Sequence, residues 1–118
     1  MNDNVANGQP SKRQQSVRLA HSFKERLQGL FAYPDADEVL LIYPCNSIHT
    51  CFMTRPIHVA FLDAKGTVLS AYKNVHPFRW LSCKDAWGVL EGWSHKHYLW
   101  FEPGEHVNFR RINSINGF

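Results

Sequence analysis

The chain has 118 residues, a length typical of one domain, and 44% of them are hydrophobic, which excludes disorder throughout. Its formal net charge is +3, but residues 21–104 contain eight basic and eight acidic residues, so the excess lies at the two ends. Nucleic-acid-binding domains are usually strongly basic on one face, and we therefore expect no nucleic-acid partner.

The N-terminal part of the chain predicts a tail followed by a helix. Residues 1–16 are polar and have too little apolar surface to pack, so we expect a disordered tail. Residues 22–31 are predicted as a helix, because Ser22 and Glu25 fit a capping box and apolar residues follow at helical spacing. Pro34 then prevents the helix from continuing.

From residue 38 onward, short apolar or alternating stretches indicate β-strands. The predicted strands are 38–43, 47–53, 56–62, 67–73, 79–81, 87–91, 98–101 and 106–112. Glycine-containing turns at 63–66 and 102–105 predict two hairpins. The pattern predicts a mainly β single domain over residues 19–113, an antiparallel β-sandwich or partly open, jelly-roll-like barrel with one N-terminal helix. Residues 114–118 would be a C-terminal tail.

Cysteine use and hydropathy indicate the compartment. The three cysteines, Cys45, Cys51 and Cys83, are odd in number and match no disulfide scaffold, which favours a reducing environment. No apolar stretch is long enough for a membrane-spanning helix, and the N-terminus lacks the apolar region of a signal peptide. We therefore expect a cytoplasmic protein without a membrane span, either a monomer or a homodimer.

Short motifs run through the chain in a specific order. They are Glu25-Arg26, Gly29-Leu30, Pro44-Cys45, His49-Thr50, Met53, Pro56-Ile57, Phe61-Leu62-Asp63, Gly66, Pro77, Arg79, Ala86, Leu90-Glu91 and Gly104. Through these motifs, residues 19–110 resemble the family called domain of unknown function 192. The resemblance implies a mainly β domain of sandwich or jelly-roll type and no established activity. Some relatives with the Pro-Cys and His-Thr motifs resemble companions of secretion or pilus machinery.

Two positions depart from the pattern of these relatives. The relatives usually carry Asp after Pro-Ile, where this chain has His58, and a neutral imidazole does not supply a fixed negative charge. After Leu90-Glu91 they usually have a small residue and Gly, where residues 92–95 of this chain read Gly-Trp-Ser-His. Any role of the relatives' Asp is therefore altered here.

Polar motif residues fall on neighbouring predicted strands, whereas no catalytic or nucleotide-binding signature is complete. We therefore predict a non-catalytic ligand-binding or accessory module, without a cofactor, whose ligand is a small molecule or a protein. The predicted pocket residues are His49, Thr50, Met53, Thr54, His58, Arg79 and Glu91. In this pocket the threonines would donate hydrogen bonds and Arg79 would contact an anion.

Alternative chemistry starts from the thiols and imidazoles. Cys51 with His49 or His58 could serve a small hydrolase or thiol enzyme. Together with Cys45 these residues could bind zinc, but their spacing does not match zinc sites, so we expect no metal. A structural protein-interaction domain is a further alternative.

Two more sets of residues are assigned to stability. Glu25 and Arg26 are predicted to form a structural ion pair that locks the helix to the sheet. The four tryptophans, at positions 80, 87, 93 and 100, are expected mainly in the core rather than in a platform that stacks on sugars.

Overall fold

A computed structural model of the chain describes residues 12–20, 39–51, 53–97 and 99–111. They form eight strands: β1 (Lys12–Ala20), β2 (Val39–Ile42), β3 (Ser47–His49), β4 (Ile57–Leu62), β5 (Val68–Val75), β6 (Trp80–Ser82), β7 (Gly88–Trp93) and β8 (His106–Arg111). The described part contains no helix, and so none that could cross a membrane, and the prediction of a mainly β protein is confirmed. The predicted helix at 22–31, the Glu25–Arg26 ion pair and the tail at 114–118 lie outside the described residues.

Six of the strands form one curled sheet. Their order is β5-β4-β7-β2-β1-β8, while β3 and β6 form a separate two-stranded ladder. The two edge strands of the large sheet approach each other at one end, where Thr67 bridges His106. There Val68 N–H donates to Glu105 O and Val107 N–H donates to Gly66 O, both at 2.9 Å. The sheet is therefore a half-barrel that closes at a single point.

The predicted hairpin between 98–101 and 106–112 is wrong. Residues 99–101 are not a strand, and β8 pairs with β1 instead. Trp100 and Phe101 are 3% and 0% exposed, because their side chains fill the apolar core rather than extending a sheet. The predicted turn at 102–105 is present, and Gly104 in it adopts a φ of 93°.

The expectation of a purely antiparallel sheet is also wrong. Strand β1 runs parallel to both of its neighbours, β2 and β8, and only the other pairings are antiparallel. It begins at Lys12, inside the stretch 1–16 that we expected to be a tail. The first residues of this strand are polar, so local composition does not predict it. The strand forms because it pairs with β8, about ninety positions later, and such tertiary pairing overrides local preference.

Two apolar clusters cover the two faces of the large sheet. Val59 and Phe61 of β4 belong to the first cluster, together with Ile48 from the β3–β6 ladder. Ala60 and Leu62 of the same strand belong to the second. Successive side chains of a strand point to opposite faces, so the ladder covers only the first face. Burial on both sides explains why β4 and β7 are buried along their whole length.

The large sheet has two ends with different connections. At the "turn end", tight turns at residues 63–66, 84–87 and 102–105 lie beside the end of β4 and the start of β5. At the "loop end", residues 50–51, 53–56, 76–79 and 94–97 lie beside the start of β4. The ends of β5 and β7 are there too, because Ile57 pairs with Val75 and Trp93.

Candidate functional site

The buried side chain of Thr50 fixes the backbone of the loop end. Its hydroxyl donates to His76 O at 2.7 Å and accepts from Arg79 N–H at 2.9 Å. Its own N–H donates to Arg79 O, and its carbonyl accepts from Phe78 N–H at 3.3 Å. The one proton that a threonine hydroxyl can donate is thus used within the protein. Thr50 therefore organises the 76–79 loop.

This loop and the first residue of β6 hold two aromatic side chains in solvent. Phe78 is 77% exposed and Trp80 is 72% exposed. Phe78 has a φ of 66°, a left-handed conformation that costs a non-glycine residue about 1–2 kcal/mol. Backbone strain persists only where the surrounding structure enforces it, and it is often found at functional sites. Neighbouring exposed apolar side chains are typical of interaction surfaces.

The aromatic side chains lie beside polar groups of the β3–β6 ladder. Trp80 Nε1 donates to Ser47 Oγ at 3.1 Å, which orients the indole along the ladder. The rings of Trp80 and His49 are 5.5 Å apart, as expected for directly paired residues on one face. We call His49, Phe78, Arg79 and Trp80 the "exposed patch". The Arg79 side chain is exposed and forms no hydrogen bond or ion pair with any described residue.

A second cationic group lies at the same end. The Arg55 guanidinium lies 5.2 Å from the ring centroid of Trp93 and contacts His95 Nε2 at 3.2 Å. Stacking on an aromatic face holds a guanidinium in place while leaving its other face accessible. Neither the 50–56 segment nor the 76–79 and 94–97 segments contain Asp or Glu.

His58 lies on the opposite face of the sheet from the exposed patch. Its ring is 5.3 Å from that of Trp100, and its Nδ1 accepts from Asn74 N–H at 3.0 Å. Burial lowers the pKa of His58 below its ordinary value of 6.5; a hydrogen bond to the backbone of His97 raises it, and the charge of Lys73 lowers it further. The ring thus joins β4 to Asn74, at the bulge near the end of β5, and to the loop after β7.

The structure brings together only part of the predicted pocket. His49, Thr50 and Arg79 are neighbours, Met53 is buried in the first apolar cluster, and Thr54 is exposed nearby. Glu91 is fully buried in the middle of β7, in register with Leu40 and Val59 of the adjacent strands.

Two cavities of the described part are lined by other residues. A groove of about 710 Å³ is lined by Lys73, Leu99, Trp100, Glu102, Pro103, Gly104 and Glu105. A smaller one of about 330 Å³ is lined by Pro44, Cys45, Asn46, Ala86 and Trp87.

The thiols and imidazoles are not gathered into one centre. At Cys51 it is the backbone N–H, not the thiol, that donates to Nδ1 of His49, at 3.4 Å. The Cys45 thiol donates to Ser47 O at 3.2 Å. Within the described ranges, no three His, Cys, Asp or Glu side chains lie close enough together to hold a metal ion.

Sequence reasoning missed Phe78 and Trp80. The expectation of buried tryptophans is correct for Trp93 and Trp100, each 3% exposed, but wrong for Trp80. The signal was present in the alternation of β6: the apolar Leu81 packs inward, so its neighbour Trp80 must point outward.

Comparisons with known proteins identify the fold and the family. No curated protein matches the chain. A crystal structure of a protein of unknown function from Novosphingobium aromaticivorans matches at 21% identity and a TM-score of 0.58, over 75% of this chain and 70% of the other. Another, from Sinorhizobium meliloti and named for a proposed role as a transcription regulator, matches at 21% identity and a TM-score of 0.60, over 75% and 76%. The family DUF192, described as an uncharacterized ACR, matches residues 4–108, and the chain belongs to this family.

Proposed function

We propose that the protein is a non-catalytic accessory module that binds another protein through the exposed patch. The observation that carries this proposal is the exposure of Phe78 and Trp80 on a backbone fixed by the buried Thr50. Trp and Arg are enriched among the residues that dominate binding energy at protein interfaces. Phe78, Arg79 and Trp80 supply both aromatic and guanidinium groups within three consecutive residues.

The patch is held in place before any partner binds. The Thr50 hydroxyl fixes the loop carrying Phe78, and Ser47 orients the indole of Trp80. Side chains and loops that are ordered in advance lose less entropy on binding. With the same contacts, a patch that is already ordered binds more tightly than a flexible one, which supports a role in recognition.

The alternatives have weaker support. A thiol enzyme needs a thiolate beside its base, whereas the His49 Nδ1 atom accepts a hydrogen bond from the backbone N–H of Cys51.

The name of the Sinorhizobium meliloti protein suggests a role in transcription for that protein. The loop-end segments carry only three formal cations, Arg55, Arg79 and Lys96, whereas nucleic-acid-binding proteins commonly contact about 6–10 phosphates. An accessory role beside secretion or pilus machinery, which the resemblance implies, is compatible with a protein-binding module.

Selection from a displayed library of short random peptides tests the proposal. Peptides recovered on the wild-type protein are titrated by fluorescence anisotropy against wild type, Trp80→Ala and Leu99→Ala. Leu99 is 80% exposed but lines the 710 Å³ groove, so its variant removes exposed apolar surface elsewhere. We expect Trp80→Ala to weaken binding about 30-fold, the loss expected at an interface hot spot, and Leu99→Ala to have less than about a twofold effect. Equal effects of the two variants would contradict the proposal.

A further inference from the structure

The acidic side chains of the described residues are segregated from the exposed patch. Five carboxylates are described, and one of them, Glu91, is fully buried. The other four all belong to the turn end: Asp63, Asp85, Glu102 and Glu105. Lys65 and Lys84 accompany them, so the turn end carries mixed charge.

The described segments of the loop end carry charge of one sign. Arg55 and Arg79 are exposed, and Lys96 is half-buried. None of the three forms an ion pair with a described residue, and the loop-end segments contain no carboxylate. Among the described residues, the exposed patch therefore combines apolar rings with nearby positive charge.

From this segregation we infer that the partner of the exposed patch is an acidic peptide segment, in which carboxylates alternate with apolar residues. The inference rests on the proposed function and names the chemistry of its partner. The Arg79 guanidinium would bind a carboxylate through two parallel hydrogen bonds, while apolar side chains pack on Phe78 and Trp80. The loop end would also attract such a segment from a distance, since complementary charge raises association rates.

The ladder next to the patch favours a peptide over other polyanions. Strands β3 and β6 pair only with each other among the described residues, so each presents one edge. An extended peptide can add to such an edge through main-chain hydrogen bonds, which neither a sugar polymer nor a nucleic acid provides. Trp80 lies on β6 and would contact the side chains of the added segment.

The test uses the peptides recovered from the displayed library on the full chain. We expect them to contain a clear excess of Asp and Glu over the input library, and to bind less tightly as salt is raised. Arg79→Glu should weaken their binding at least about tenfold, whereas Lys65→Glu, the same charge change at the turn end, should change it less than about twofold. Circular dichroism melting checks that the variants fold, as expected because Arg79 contributes only backbone atoms to the hydrogen bonds of its loop.

The outcomes separate this inference from the function on which it rests. Peptides that require Trp80 but show no acidic excess, or that ignore Arg79→Glu, overturn the inference and leave the binding module standing. Recovery of no peptide that requires Trp80 overturns both. A labelled single-stranded oligonucleotide or a sulfated glycan that binds more tightly than the peptides, and loses affinity in Arg79→Glu, identifies a different polyanion and also overturns the inference.

Discussion

The two ends of the curled sheet reverse the chain with different kinds of residues. At the turn end the residues with positive φ are glycines, Gly66 and Gly104, for which this conformation carries no side-chain cost. The Asp63 carboxylate there accepts hydrogen bonds from the backbone N–H groups of Lys65 and Thr67, at 2.9 and 3.0 Å. Turn residues and turn geometry agree, as in a turn selected for stability.

At the loop end the residue types do not match the backbone geometry. The residues with positive φ are Asn74 and Phe78, and only asparagine tolerates this conformation well. The strained backbone at Phe78 is held by a hydrogen bond from its own N–H to Thr50 O, and its ring remains in solvent. Conflict between local preference and observed structure is expected at functional sites. The turn end thus closes the fold, and the comparison supports our proposal that the loop end serves recognition.

The largest expected effect tests the closure at the turn end. A Cβ at Gly66 would lie 2.8 Å from Val107 O of β8 and would sit at a φ of 89°. We expect Gly66→Ala to lower the free energy of unfolding by about 3 kcal/mol, through strain and the parting of β5 from β8. Gly104→Ala is the matched control, because its φ is 93° but no atom lies within 4 Å of the new Cβ. Its cost should be only about 1 kcal/mol, and equal losses in urea titrations would show that the close approach to β8 is unimportant.

The next effect tests whether Thr50 maintains the loop end. Thr50→Val keeps the shape of the side chain but leaves Arg79 N–H and His76 O without their hydroxyl partner. We expect a loss of about 2 kcal/mol in the free energy of unfolding. Thr54→Val, an exposed threonine four residues along, should change stability by less than about 0.5 kcal/mol. Indistinguishable urea midpoints for the two variants would exclude a clamping role for Thr50.

Relief of strain at Phe78 should raise the free energy of unfolding, by less than the two preceding substitutions lower it. Both Phe78→Gly and Phe78→Ala remove the exposed ring, but only glycine relieves the left-handed backbone. We therefore expect the glycine variant to be more stable than the alanine variant by about 1 kcal/mol, while both lose peptide binding. A glycine variant less stable than the alanine variant would mean that the loop is not strained.

The smallest expected effect concerns His58, whose pKa is lowered in the folded protein. The unfolded chain then binds a proton more readily, so this contribution to stability is complete above the ordinary pKa of 6.5 and falls as pH decreases through the folded value. Between about pH 7.5 and about pH 5.5, the melting temperature should fall more for wild type than for His58→Gln. Because the other six histidines are common to both proteins, equal slopes would show that His58 does not contribute.

The sequence predicted those parts of the fold that depend on local pattern. Strands β2 and β4 follow from uninterrupted or alternating apolar residues, and the hairpin at 63–66 follows from Gly66. The pairing of β1 with β8 could not be predicted, because it joins polar residues near Lys12 to a strand close to the other end of the chain. Local composition contains no information on such a partner.

The site was predicted in part for the same reason. His49, Thr50 and Arg79 were placed together by motif and strand order, and they are neighbours in the structure. His58 was assigned to the same pocket, although its alternation with Ile57 and Val59 places it on the other face once both faces are buried. The hydroxyl of Thr50 was expected to meet a ligand, because its backbone partners come from a loop about 26 residues away in sequence.

A chemical-shift map of peptide binding tests the central claim most directly. Assigned amide spectra of the full chain are recorded while a peptide recovered from the displayed library is added. Amides of residues 49–51, 53–55, 76, 78–80 and 94–97 should shift progressively, while those of the turns at 63–66, 84–87 and 102–105 stay in place. Shifts concentrated at the turn end, or around the groove beside Leu99 and Glu102, would contradict the assignment of recognition to the loop end.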